Sequence, residues 1–265
     1  MGLCRRQVPK GTIERQYTSY KRQENGVLTV KNTERWKKSF IFGFIALFLC
    51  GIGDWLIGYE PKGGEPLILG ISNTSIAVVP TWFYVLSLLF GILSGFGCMV
   101  FAPAMEEVLT ENGIDRKSKM FRLFHFGSVS APMMFVSFHA ACCIVLLLMQ
   151  AALRAGLDVN AANNVFLLPA AASLLPFTIW CFLCDIPVTV AYMYFVITGQ
   201  LKLAKVFIVC CPMGMSLLAK IIAVILMALE SNLTFLTACG ESWGWAFMCL
   251  AFYTVVKKAA SSPVG

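Results

Sequence analysis

Four ionisable side chains fall inside long apolar runs of this chain: Asp54, His139, Asp185 and Lys220. A charge in hydrocarbon costs from about 3 kcal/mol on insertion scales to more than about 10 in simulations, so such residues normally face a bundle interior and find partners. Counted along helices at about 1.5 Å per residue, all four sit roughly 18–23 Å from the same side of a bilayer. They are therefore expected to meet. Lys220 leans toward the start of its own helix and so toward mid-bilayer, where it needs an acid. Asp185 and Asp54 are the candidates.

Three kinds of chemistry fit such a cluster. The first is binding or transport of a small solute or of protons, with Asp54, Asp185 and Lys220 as the charged site and His139 as a proton carrier. The second is an intramembrane enzyme on a lipid-like substrate, with His139 and Asp185 as acid and base. The third is a structural or sensory protein whose buried ion pair only orders the bundle, with His139 held by a backbone carbonyl. Asp54 has a further bland reading, hydration at the outer surface. Zinc would accept His139 with Cys181, Cys184 and Asp185, but a metal-binding Cys-x-x-Cys usually lies on a turn, and no metal or cofactor is expected. No G-x-S-x-G elbow supports serine catalysis.

The elements that must position these groups are membrane helices. The chain has 265 residues, 58% hydrophobic and 13% charged, with a mean hydropathy of +0.75; soluble domains carry about 25% charged residues. The expected class is an all-α, polytopic integral membrane bundle. Six runs are long enough for the ~20 helical residues that cross hydrocarbon: residues 39–59, 80–103, 127–151, 173–198, 206–229 and 242–256. The first run is read as a spanning helix, since the 38 residues before it are polar and lack a signal-peptide pattern. Residues 165–172 read as an interfacial lead-in to the fourth span, with Pro169, Pro176 and Pro187 predicting a bend. Residues 106–124 read either as an interfacial helix or as a polar loop.

Charge sets the orientation. Loops and tail on one side hold Arg116, Lys117, Lys119, Arg122, Lys202, Lys205, Lys257 and Lys258, against Lys62 and Arg154 on the other. Both termini are expected in the cytoplasm. Residues 1–38 form a basic tail that fixes topology or meets anionic lipid head groups, and 259–265 a short C-terminal tail. Nucleic acid is not an expected partner, because no recognition module accompanies the charge. The opening MGLCRR lacks the Ser or Thr that myristoylation wants.

Small residues recur at Ser87, Gly91 and Gly95 on one face of the second span, the pattern of close helix contacts. It predicts internal packing, with a homodimer as the other use. Cysteine is abundant, eleven in all, and nine lie in apolar runs, where thiols act as small hydrophobes. Gly51, Gly53 and Gly58 let a neighbouring helix approach Asp54, while Trp55 and Tyr59 fit an interfacial aromatic belt.

The stretch GDWLIGY, Gly53 to Tyr59, resembles a motif that ends the first span of uncharacterised multi-spanning bacterial membrane proteins. The resemblance covers seven residues and implies no activity, only a bacterial cytoplasmic membrane. Against it stand the sequons Asn73-Thr74-Ser75 and Asn232-Leu233-Thr234, which matter only in a eukaryotic secretory pathway.

Overall fold

The computed structural model describes the backbone of residues 10–261 except 62, 71 and 232, and side chains from Asn32 to Ala260 except Lys62, Leu69, Ile71 and Asn232. Among the described residues there are six α-helices: α1 Lys10–Gly58, α2 Trp82–Glu111, α3 Lys119–Arg154, α4 Val159–Ile197, α5 Pro212–Ala228 and α6 Gly240–Ser261. Four of them, in the stretches Asn32–Gly58, Trp82–Glu111, Lys119–Arg154 and Val159–Ile197, are long and apolar enough to cross a membrane.

Local chemistry sets the helix ends. Ser118 accepts the Phe121 N–H at the start of α3, and Asp158 accepts those of Asn160 and Ala161 at the start of α4, the usual way to satisfy free first-turn donors. Pro212 opens α5, where a missing N–H costs nothing. Just past α2, α3 and α4 come Gly113, Gly156 and Gly199 with φ of 85°, 88° and 72°, the left-handed geometry that closes a helix and favours glycine.

The helices alternate in direction. Contacts of Arg35 and Trp36 with Glu107, and of Glu106 with His125, gather the N-terminal part of α1, the end of α2 and the start of α3 at one end, here the tail end. Phe195 of α4 and Phe252 of α6 both meet Phe124 there. The opposite, cap end carries residues 59–81, a small folded cap in which β1 (Pro66–Leu67) pairs antiparallel with β2 (Ser72–Asn73). Gln150 donates from Nε2 to the carbonyls of Ile76 and Val79, and Arg154 binds the carbonyls of Ala77 and Val79 and the Thr81 hydroxyl, so the end of α3 holds the cap.

Some expectations change. Residues 10–38 continue the first helix rather than standing apart as a tail, and side chains before Asn32, with the MGLCRR opening, lie outside the described residues. Residues 165–172 belong to one helix with the fourth apolar run, uninterrupted by the three prolines. No separate interfacial helix occupies 106–124; α2 runs on to Glu111 and a short turn leads to α3. Residues 205–209 form a 3₁₀ turn, so α5 begins only at Pro212. Trp55 is tied down within the bundle, donating to the Leu236 carbonyl at 2.7 Å, while Tyr59 lies against Phe83 and Phe235 and stays exposed.

Candidate functional site

α1 offers Cys50 and Asp54 four residues apart, hence on one face. Two glycines bring neighbouring helices onto that face. A Cβ at Gly53 would stand 3.1 Å from Ser87 Oγ, and one at Gly91 would stand 2.4 Å from the His139 Cβ. With no side chains at 53 and 91, α1, α2 and α3 close to hydrogen-bonding range. The strip of Ser87, Gly91 and Gly95 thus meets α3 of the same chain, Gly95 lying against Val136 and the Pro132 carbonyl.

His139, 2% exposed, is the hub. Its Nε2 lies 3.3 Å from Asp54 Oδ1 and 3.0 Å from Cys50 Sγ, and its Nδ1 lies 3.4 Å from Ser87 Oγ. Ser242 of α6 donates to Asp54 Oδ2 at 2.6 Å. An imidazole whose Nε2–H faces the carboxylate and whose Nδ1 accepts from Ser87 satisfies both oxygen partners, with one proton held between ring and acid.

A second group lies on α4 and α6. Asp185 is 1% exposed, accepts the Trp245 indole N–H at 2.8 Å, and its carboxyl also meets that of Glu241 in the first turn of α6. Touching carboxyls cannot both be ionised, so the pair shares a proton. Between the two groups lies a cavity of about 50 Å³ lined by Asp54, His139, Phe135, Cys181, Glu241 and Ser242. A water needs roughly 10–15 Å³ of such space. Among the described residues, α1, α2, α3, α4 and α6 contribute polar side-chain atoms to this centre.

Lys220 is the correction. The structure brings Asp54 and His139 together and sets Asp185 near them, but it puts Lys220 on the exposed outer side of α5; among the described residues it has no ion pair with Asp185 or Asp54. The cause is local. α5 turns a narrow face inward, where Ser216 and Ala219 receive Gly240, and each helical residue rotates the next by about 100°. Lys220, one residue past Ala219, therefore falls on the flank of that face, where it is exposed. The cysteines do not gather either: Cys184 packs against Gly127 while Cys181 faces the cavity, and among the described residues no three His, Cys, Asp or Glu side chains are set to hold a metal ion.

Sequence reasoning passed over Cys50, Glu241, Ser242 and Trp245. Glu241 lies one residue ahead of the predicted last span and so reads as a loop acid. The available signal was spacing: Glu241 and Trp245 share a face four residues apart, as Cys50 and Asp54 do.

Long apolar helices closed around a buried acid–imidazole centre define a membrane-embedded helical bundle. The chain belongs to a family of unknown function (DUF6796), the match running from residue 24 to residue 259. No curated protein and no solved structure matches it.

Proposed function

We propose that this protein binds and passes protons through the buried His139–Asp54 centre of a six-span bundle in the cell membrane. One observation carries the reading: an imidazole held between a carboxylate and a hydroxyl, facing a second proton-sharing pair across a cavity of water size. Ligand pockets for drug-sized molecules run to about 300–1,000 Å³, so this space suits protons and water rather than a sugar or lipid. Asp54, His139, Asp185 and Glu241 are the proton-bearing groups. Proton relays are among the uses that acids and histidines inside membranes serve.

The enzyme reading is weaker. Ser87, His139 and Asp54 fall in the order of a hydrolytic triad, but Ser87 is fully buried within a helix whose N–H groups are already used, and catalysis needs free donors for an oxyanion. The structural reading draws on the Asp185–Trp245 bond, which ties α4 to α6 whatever the cluster does.

The topology belongs to the same proposal. The 3₁₀ turn Lys205–Val209 and α5 together make a fifth crossing, since α5 alone, 17 residues, is about 25 Å long against ~30 Å of hydrocarbon. α6 makes the sixth, which leaves both termini on the basic, cytoplasmic side. The motif at Gly53–Tyr59 favours a bacterial membrane. The sequon at Asn73 weighs little against this, because its side-chain amide already donates to Glu60 and accepts from Ser75.

The test is proton flux in proteoliposomes loaded with a pH dye, under a potassium diffusion potential. The wild type should acidify or alkalinise the lumen faster than empty vesicles, and Asp54→Asn and His139→Gln should abolish the excess while eluting as folded protein. Wild-type vesicles no faster than empty ones would overturn the proposal.

A further inference from the structure

Resting on that reading, we propose that the Tyr84 hydroxyl is the relay through which the His139–Asp54 centre exchanges protons with the cap side of the bundle, the tail-side half of the path being shut by aromatic rings in this conformation.

Tyr84 lies on α2 one turn capward of Ser87, and its stripe continues through Gly91 to Ser94, so the polar atoms of one helix face run from the cap to the centre. The side chain is fully buried, yet its hydroxyl has no hydrogen-bond partner among the described residues. Native proteins rarely leave such a group unmatched, and an orphan invites an unseen water or a transient partner. Its surroundings say which. Tyr84 packs against Cys143 of α3, one turn capward of His139, and the Cys143 thiol bonds Ser87, which touches His139 Nδ1. On the other side the Tyr84 hydroxyl feels two charges of the cap end, Glu60 and Arg154. Arg154 is spent on cap carbonyls, whereas Glu60 is an acid whose carboxyl oxygens accept from Ser72 and Asn73.

A hydroxyl both donates and accepts. A proton arriving from the Glu60 carboxyl through water is accepted on the Tyr84 oxygen as the O–H proton already there moves on toward Ser87 and His139. The hydroxyl then rotates back, unchanged. Toward the tail, aromatic rings stand over the centre in this conformation. Trp245 sits against Phe101 and Phe135, and below it Phe252 meets Phe40, Phe124 and Tyr192, an aromatic layer between the centre and the Glu106–His125 pair.

The chain has two histidines, so ¹⁵N-histidine labelling of the full chain in lipid nanodiscs reads His139 with His125 as an internal control. Tyr84→Phe should slow exchange of the His139 ring N–H into D₂O by about tenfold or more, leave His125 unchanged, and leave the thermal midpoint in place because no bond is lost. Glu60→Gln should slow it in the same sense, and Glu106→Gln at the tail end should not. Unchanged His139 exchange in Tyr84→Phe, or slowing in Glu106→Gln alone, overturns the route while the proton centre stands. If Asp54→Asn leaves the His139 ring signals and their titration as they were, the proton-centre reading falls, and this inference with it.

Discussion

Gly91 lies beneath His139 so closely that no side chain fits between them: a Cβ at 91 would stand 2.4 Å from the His139 Cβ and 2.6 Å from its Cγ. One glycine on α2 thus decides where the imidazole of α3 sits. Gly91→Ala must push α2 and α3 apart or turn the ring off Asp54, and overpacking of a close contact costs about 1–3 kcal/mol. The expected result is a lower thermal midpoint in detergent. Adding His139→Ala should restore part of it, because neighbouring sites couple in a double-mutant cycle. Additive losses would show that the contact is not the cause.

The behaviour of Lys220 is the converse. Lys220 is exposed and makes no ion pair among the described residues, so Lys220→Leu should cost little, and surface changes of this kind stay within about 0.5 kcal/mol. Thermal midpoint and proton flux should match the wild type. Asp185→Leu, by contrast, strips the Trp245 indole of its acceptor and should lower the midpoint, since an orphaned buried donor costs about 1–3 kcal/mol. A loss in Lys220→Leu as large as that in Asp185→Leu would contradict the placement of α5.

How much of this was written in the chain follows from how each signal works. Apolar length marked the positions of all six helices, because length against a bilayer is a one-dimensional property. Depth, also one-dimensional, set Asp54 and His139 at one level. The angular position of Lys220 was out of reach, for it depends on which face of α5 meets α6, and on so strongly apolar a helix the small residues Ser216 and Ala219 that receive Gly240 are a faint mark. Glu241 was missed for a related reason: the sixth helix starts inside the bundle behind the 3₁₀ turn Thr234–Cys239, so an acid just outside the apolar run is nonetheless within the protein.

The cap offers a stability test independent of the centre. Gln150, 1% exposed, accepts the Thr81 hydroxyl and donates to the Ile76 and Val79 carbonyls. Gln150→Leu leaves these groups short of a partner at a cost of about 1–3 kcal/mol. The loss should be local, read as faster amide exchange and faster proteolysis across residues 59–81 while the helical signal of the bundle persists. Uniform loosening of all six helices would show instead that cap and bundle unfold as one unit.

Glu60 gives that cap a pH dependence. Burial raises its carboxyl above the ordinary value of 4.5, outweighing the stabilising bonds from Ser72 and Asn73. An acid whose folded value is raised binds more protons folded than unfolded across the interval between the two, so stability falls as pH rises there. The cap is therefore tightest below pH 4.5 and loosens as pH climbs through the folded value of Glu60. Amide exchange over residues 72–81, corrected for its intrinsic pH dependence, should show protection declining across that window. Glu60→Gln keeps a group able to bond Ser72 and Asn73 but cannot titrate, so its protection should be flat. A wild-type profile as flat as that of Glu60→Gln would place the acid in water rather than under the cap, and would remove the carboxyl from which Tyr84 is proposed to take its proton.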